Sequence, residues 1–101
     1  MKIFYKNKKG ENIATAEYSG DSVLIHKGSK LNYSKSLVKL SKSIASSRNN
    51  KDLVKDGVLI KDVSFRSLSS AGQFIAGYSV SGYLAWRNEE GKKLIDVIKK
   101  K

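Results

Sequence analysis

Between Phe65 and Trp86 the chain reads F-R-S-L-S-S-A-G-Q-F-I-A-G-Y-S-V-S-G-Y-L-A-W, an order of parts that few backbones satisfy. Ser67 or Ser69 suits a helix start, where a short side-chain oxygen accepts from the unpaired N–H groups of the first turn. Ala71, Phe74 and Ile75 fall at helical spacing on one face. Gly77 stands where a short helix stops, because glycine takes a left-handed angle without a steric penalty. Gly82 opens a second turn, and Trp86 supplies a large apolar anchor. The segment thus predicts a capped helix over about residues 69–76, with its apolar face against a core and a glycine-bracketed loop behind it.

That segment resembles the C-terminal signature of a family of unknown function with the pattern F-x-S-P-S-A-A-A-x-x-x-x-G-x-S-x-N-G-W-x-x-W. Further pieces follow the family's order: G-E-N-I-A-T-A at residues 10–16, V-L-I-H-K-G-S at 23–29, D-L-V-K-D-G-V-L at 52–59 and W-R-N-E-E-G-K-K-L at 86–94. The family often sits at the C-terminus of GIY-YIG nuclease-like proteins and among restriction-modification proteins. It is also similar to the RAMA domain, associated with restriction enzymes and adenine methylases. The resemblance implies a partnership with a nuclease or modification enzyme. The chain departs from the pattern at Leu68 (usually proline), Gly72 (alanine), Tyr78 (arginine), Ser81 (asparagine) and Tyr83 (tryptophan). A ligand readout through the family's asparagine or arginine is therefore not carried over.

The rest of the chain predicts an α+β fold, a small antiparallel sheet packed by two main helices within a single domain over residues 1–101. Residues 2–6, 12–19 and 22–27 read as a three-strand meander separated by turn residues. Leu37, Leu40 and Ile44 at i, i+3 and i+7 predict an amphipathic helix starting near residues 33–37. It extends to Gly57, with a break at Asn49-Asn50. Residues 58–60 and 63–65 read as further short strands or one kinked strand, 83–87 as extended and 94–98 as a short helix.

Charge is the second constraint on function. The net charge is +11, from 17 Lys and 3 Arg against 9 acids. Residues 22–51 hold no acid but carry Lys27, Lys30, Lys35, Lys39, Lys42, Arg48 and Lys51. Such a field attracts polyanions by counterion release, nucleic acid foremost. The alternative is compositional: an A·T-rich coding sequence also enriches lysine, asparagine, isoleucine and serine. Lysine acts as a mobile point charge, whereas arginine reads guanine and clamps phosphate in two-point contacts. Backbone attraction is thus expected to dominate, with specificity confined to a small pocket near Arg66 and Arg87.

The candidate nucleic-acid-binding residues are Lys27, Lys30, Lys35, Lys39, Lys42, Arg66, Tyr78, Ser81, Tyr83 and Arg87. The tyrosines would stack on bases and the arginines neutralise phosphates. Trp86 reads as core, since a single large aromatic in a small domain anchors packing. Tyr78, Tyr83 and Ser81 stand equally for core and for site, and the lysine face of the first helix for a solvated face or a binding stripe.

No catalytic constellation is legible. His26 has no evident partner, Glu89-Glu90 falls in a turn, and the serines lack a general base. Asp52 and Asp56, one helical turn apart, sit beside Lys51 and Lys55 in a pattern of surface ion pairs. Gly28-Ser29-Lys30 lacks the spacing of a phosphate loop. No GIY-YIG motif, cysteine or metal-ligand cluster is present, so neither cofactor nor metal is expected. No apolar run reaches membrane-spanning length, and no signal-peptide core follows the lysine-rich start. The expectation is a cytoplasmic, non-catalytic module for duplex DNA, with RNA binding or a protein adaptor as the rivals.

Overall fold

Alternation of side chains builds the sheet. In β1 (Lys2–Lys6) and β2 (Asn12–Tyr18), Ile3, Tyr5, Ala14 and Ala16 point inward and are buried, as are Val23 and Ile25 of β3 (Val23–Ile25). A computed structural model describes residues 1–7, 9–20, 22–32, 42–77 and 81–97. The expected meander is present, with Ile3 paired to Ala16 and Ala16 to Ile25. The third strand is shorter than expected.

After α1 (Lys42–Arg48) the chain departs from the predicted long helix. The expected start near residues 33–37, with Leu37 and Leu40, lies outside the described residues. Within them, the helix ends at Arg48 instead of running to Gly57. β4 (Val54–Lys55) and β5 (Val58–Leu59) form a hairpin there, in register Val54–Leu59 and Lys55–Val58. The reason is the Asp56-Gly57 pair, whose φ angles of 54° and 78° are those of a two-residue turn of type I′. That turn matches strand twist, and Asp-Gly is among its preferred pairs.

β6 (Val63–Phe65) pairs with β3, and α2 (Leu68–Ala76) follows. Ser67 caps the helix by accepting from the Ser70 N–H at 3.0 Å. Gly77 closes it at φ 85°, its N–H donating to the Gln73 carbonyl. Both ends form as the signature predicts. The inward face of α2 buries Leu68, Ala71, Phe74 and Ile75 against the sheet, whose central strand turns Ala14 and Ala16 inward. Phe74 also meets the ring of Phe65 at 5.0 Å.

Residues 83–87 are not one extended run. α3 (Gly82–Ala85) makes one helical turn before β7 (Trp86–Arg87), and α4 (Leu94–Val97) packs on α3. The turn drops Trp86 into the core, where it is fully buried. Its indole N–H donates to the Leu68 carbonyl at 3.1 Å, and Tyr5 meets it edge-on at 5.8 Å. The core reading of Trp86 holds. β7 pairs with β1, giving an antiparallel five-stranded sheet ordered β6-β3-β2-β1-β7 beside the small β4-β5 sheet. The fold is α+β, a small antiparallel sheet packed by helices.

Candidate nucleic-acid interface

Main-chain pairing gathers lysines at one end of the sheet. Beyond β3 the chain turns at Lys27-Gly28 and returns as a strand-like segment beside the β4-β5 hairpin. The Gly28 N–H donates to the Leu59 carbonyl at 2.7 Å, and the Leu59 N–H to the Ser29 carbonyl at 2.7 Å. Lys30 is thereby bridged to Val58, which is itself the partner of Lys55. Directly paired residues share a face, so Lys30 and Lys55 flank Val58 on one side of a narrow ribbon. Two strand spacings put their Cα atoms about 10 Å apart.

Two concavities adjoin this ribbon. One, of about 260 Å³, lies between the start of β2 and the returning segment, with Lys27, Lys30 and Thr15 in its lining. Ser29 fastens its wall, since its hydroxyl accepts from the Thr15 N–H at 3.0 Å and is buried. The other, of about 570 Å³, is lined by Arg48, Asn49, Lys51, Lys55 and Asp56 among others. Lys27, Lys30, Lys51 and Lys55 are all exposed.

Few of these charges are neutralised. Among the described residues, ion pairs join Glu17 to the Met1 amine (3.7 Å) and to His26 (4.0 Å), and Glu90 to Lys92 (3.6 Å). The surface ion pairs expected of Lys51 and Lys55 with Asp52 and Asp56 are therefore not formed. A hairpin replaces the helix that would have aligned them. Asp62, the nearest acid to Lys27, accepts instead from that residue's main-chain N–H at 2.8 Å.

The remaining candidates separate. Lys42 is exposed at the first residue of α1, while Lys35, Lys39 and Tyr78 lie outside the described residues. Ser81 is exposed at the start of α3, with no capping bond from its side chain. Arg66 and Tyr83 come together with Tyr18 around a hollow of about 120 Å³ beside the start of α2. Tyr83 is 40% exposed, which favours the surface over the core reading. Burial raises the pKa of the Tyr18 phenol, and its hydrogen-bonded neighbour Tyr83 raises it further. Arg87 does not line that hollow: it lies on β7, at one edge of the five-stranded sheet, whereas Arg66 follows β6 at the other edge. The two arginines thus do not frame one pocket.

The third arginine is occupied. The Arg48 guanidinium donates to the carbonyls of Phe74 and Ile75 at the end of α2 and to that of Asn32 at 2.8 Å. It ties helix α1 to the C-terminus of α2, where a cation also suits the helix dipole. Sequence reasoning placed Lys51 and Lys55 on the surface in ion pairs, and missed them as candidate binding residues along with the pairing that sets Lys55 beside Lys30. The Asp56-Gly57 turn was the available signal.

Among the described residues no group of three or more histidines and carboxylates is placed to hold a metal, and no helix is long and apolar enough to cross a membrane. Residues 4–98 match the model of a family described as a domain of unknown function (DUF4357). No curated protein and no solved structure matches the chain.

Proposed function

The chain belongs to that domain family of unknown function, and from this premise we propose that it is a non-catalytic nucleic-acid-binding module whose principal ligand is duplex DNA. The carrying observation is the ribbon: Lys30 and Lys55 share a face around Val58, Lys27 and Lys51 extend the row into the flanking concavities, and no carboxylate pairs with them among the described residues. Lysines held in register by main-chain pairing present point charges to a phosphate backbone without reading base edges. Arg66, with Tyr18 and Tyr83, is the separate place where a contact other than charge is available. The setting is a nuclease- or modification-associated one, which rests on the signature between Phe65 and Trp86.

The test is a titration of labelled duplex by fluorescence anisotropy over a range of salt. Binding through the ribbon loses roughly 0.9 log unit of affinity per log unit of salt for each phosphate neutralised. Lys30→Glu/Lys55→Glu reduces that slope and weakens binding by roughly tenfold or more at low salt. A flat salt response, or a double variant that binds as the parent does, refutes the proposal.

A second reading has its own observation. Leu84 on α3 and Ile95 on α4 are half exposed, on helices that pack together. An adaptor would use them to dock a nuclease or modification enzyme. Co-purification of such an enzyme, lost on Leu84→Lys, with duplex affinity absent from the start, selects this alternative.

A further inference from the structure

The five-stranded sheet has two unlike faces. The inner face carries the core; the outer carries Phe4 and Thr15 with the exposed Leu24, and Glu17 lies opposite Lys2 at its end. Phe4 pairs with Thr15 on one side and with Arg87 on the other, and Arg87 is bridged to Lys93. Lys2 and Lys6 lie two residues before and after Phe4 on the same strand, so they share its face. Four cationic residues thus neighbour one half-buried aromatic residue, their Cα atoms within about 10 Å of its own by strand spacing and rise. None of the four has an ion pair among the described residues, and the Arg87 guanidinium is steadied by the Gly91 carbonyl at 2.9 Å.

We infer that this outer face is a second binding surface, and that it takes single-stranded DNA. The chemistry is complementary: a polyanion whose bases are unpaired offers flat π-faces to a ring and phosphates to the cations around it. A paired duplex buries those faces and cannot use Phe4. A rim of lysines and one arginine donates to phosphates, so it supplies the charge that holds the strand. Geometry also joins this face to the ribbon. Thr15, the direct partner of Phe4, lines the concavity that holds Lys27 and Lys30. A strand leaving a duplex on the ribbon therefore passes onto the sheet. The surface stands on its own residues, while the choice of DNA over RNA rests on the ribbon reading.

The experiment titrates a labelled oligothymidylate, an oligouridylate and a blunt duplex with the parent chain and three variants. Phe4→Leu keeps apolar bulk and removes the π-face; it is expected to lose about tenfold for the oligothymidylate and nothing for the duplex. Lys2→Glu/Lys6→Glu, at exposed positions, gives a comparable loss for the single strand. Lys30→Glu/Lys55→Glu weakens the duplex first, so failure of the ribbon and failure of the sheet face are read separately. Near-ultraviolet dichroism of Trp86 reports folding, and if Phe4→Leu loses that signal the Lys2/Lys6 pair decides. A parent chain that ignores the single strand, or variants that lose both ligands equally, overturns the inference. Preference for oligouridylate overturns the assignment to DNA.

Discussion

Gly82 lies directly against Leu68: a Cβ built on the glycine would stand 2.3 Å from the Leu68 carbonyl carbon and 2.5 Å from the Ser69 nitrogen. The Gly82 N–H donates to the Ser69 hydroxyl at 3.1 Å across the same contact. The start of α2 and the start of α3 therefore touch backbone to backbone, which only glycine permits.

Gly82→Ala should accordingly destabilise the chain by about 3 kcal/mol, because backbone on both sides must move to admit one methyl. In melting experiments this is a fall of about 12–24 °C for a domain of this size. Gly28→Ala is the control, with nothing within 4 Å of a Cβ there and only the strain of φ +92° to bear. It should cost about 1–2 kcal/mol. Equal effects of the two variants would show that the close approach does not constrain the fold.

Arg48→Ala should cost about 2–3 kcal/mol, since it removes charge-assisted hydrogen bonds to carbonyls at the end of α2 and at Asn32. Arg48→Lys should recover little of it, because one ammonium cannot span carbonyls that a planar fork bridges. Urea unfolding of both variants measures this. If Arg48→Lys matched the parent, the charge alone and not the fork would be holding the two helices.

Tyr18 gives a signed pH dependence. Its folded pKa lies above the unfolded value of 10.0, with burial the larger cause and Tyr83 the smaller. The folded chain therefore holds the phenol proton more tightly than the unfolded chain. Stability from this group is complete below about pH 10 and is lost as pH rises through the folded pKa. Melting temperatures on either side of that pH should show a steeper alkaline loss in the parent than in Tyr18→Phe. An identical loss in both would mean that Tyr18 titrates alike folded and unfolded.

What the sequence made legible follows from the range of the interactions involved. The caps at Ser67 and Gly77 and the burial of Trp86 are local or depend on one large side chain, and all three were readable. The helix predicted through to Gly57 failed because Leu53 and Val54 fit helical spacing as well as a strand, and the Asp56-Gly57 turn decided between them. The two aromatics at Tyr83 and Trp86 fit an extended reading, but Gly82 must sit on Leu68, and one helical turn is what then carries Trp86 to Tyr5. The placement of β7 beside β1 joins residues more than eighty positions apart and left no local mark. The same holds for the site. Lys27 and Lys30 were readable as charges, but which face they share, and with which lysine, is set by the pairing of Lys30 with Val58.

That pairing separates geometry from composition in a last prediction. Gly57 follows Asp56 in the hairpin turn at φ 78°, an angle that a β-branched residue strongly resists. Gly57→Val leaves every charge in place, so the net charge stays +11. It should cost about 1–2 kcal/mol through left-handed strain, and the strain is relieved by opening the turn that sets Lys55 beside Val58. If DNA affinity follows only from total charge, this variant binds duplex as the parent does. If the register of Lys30 and Lys55 matters, duplex affinity falls several-fold at constant charge, and the salt slope drops by roughly one phosphate's share. Dichroism of Trp86 should be unchanged, because the five-stranded sheet does not pass through the turn. Parent-like affinity with an opened hairpin would remove the ribbon as the interface and leave diffuse attraction as the account of any binding.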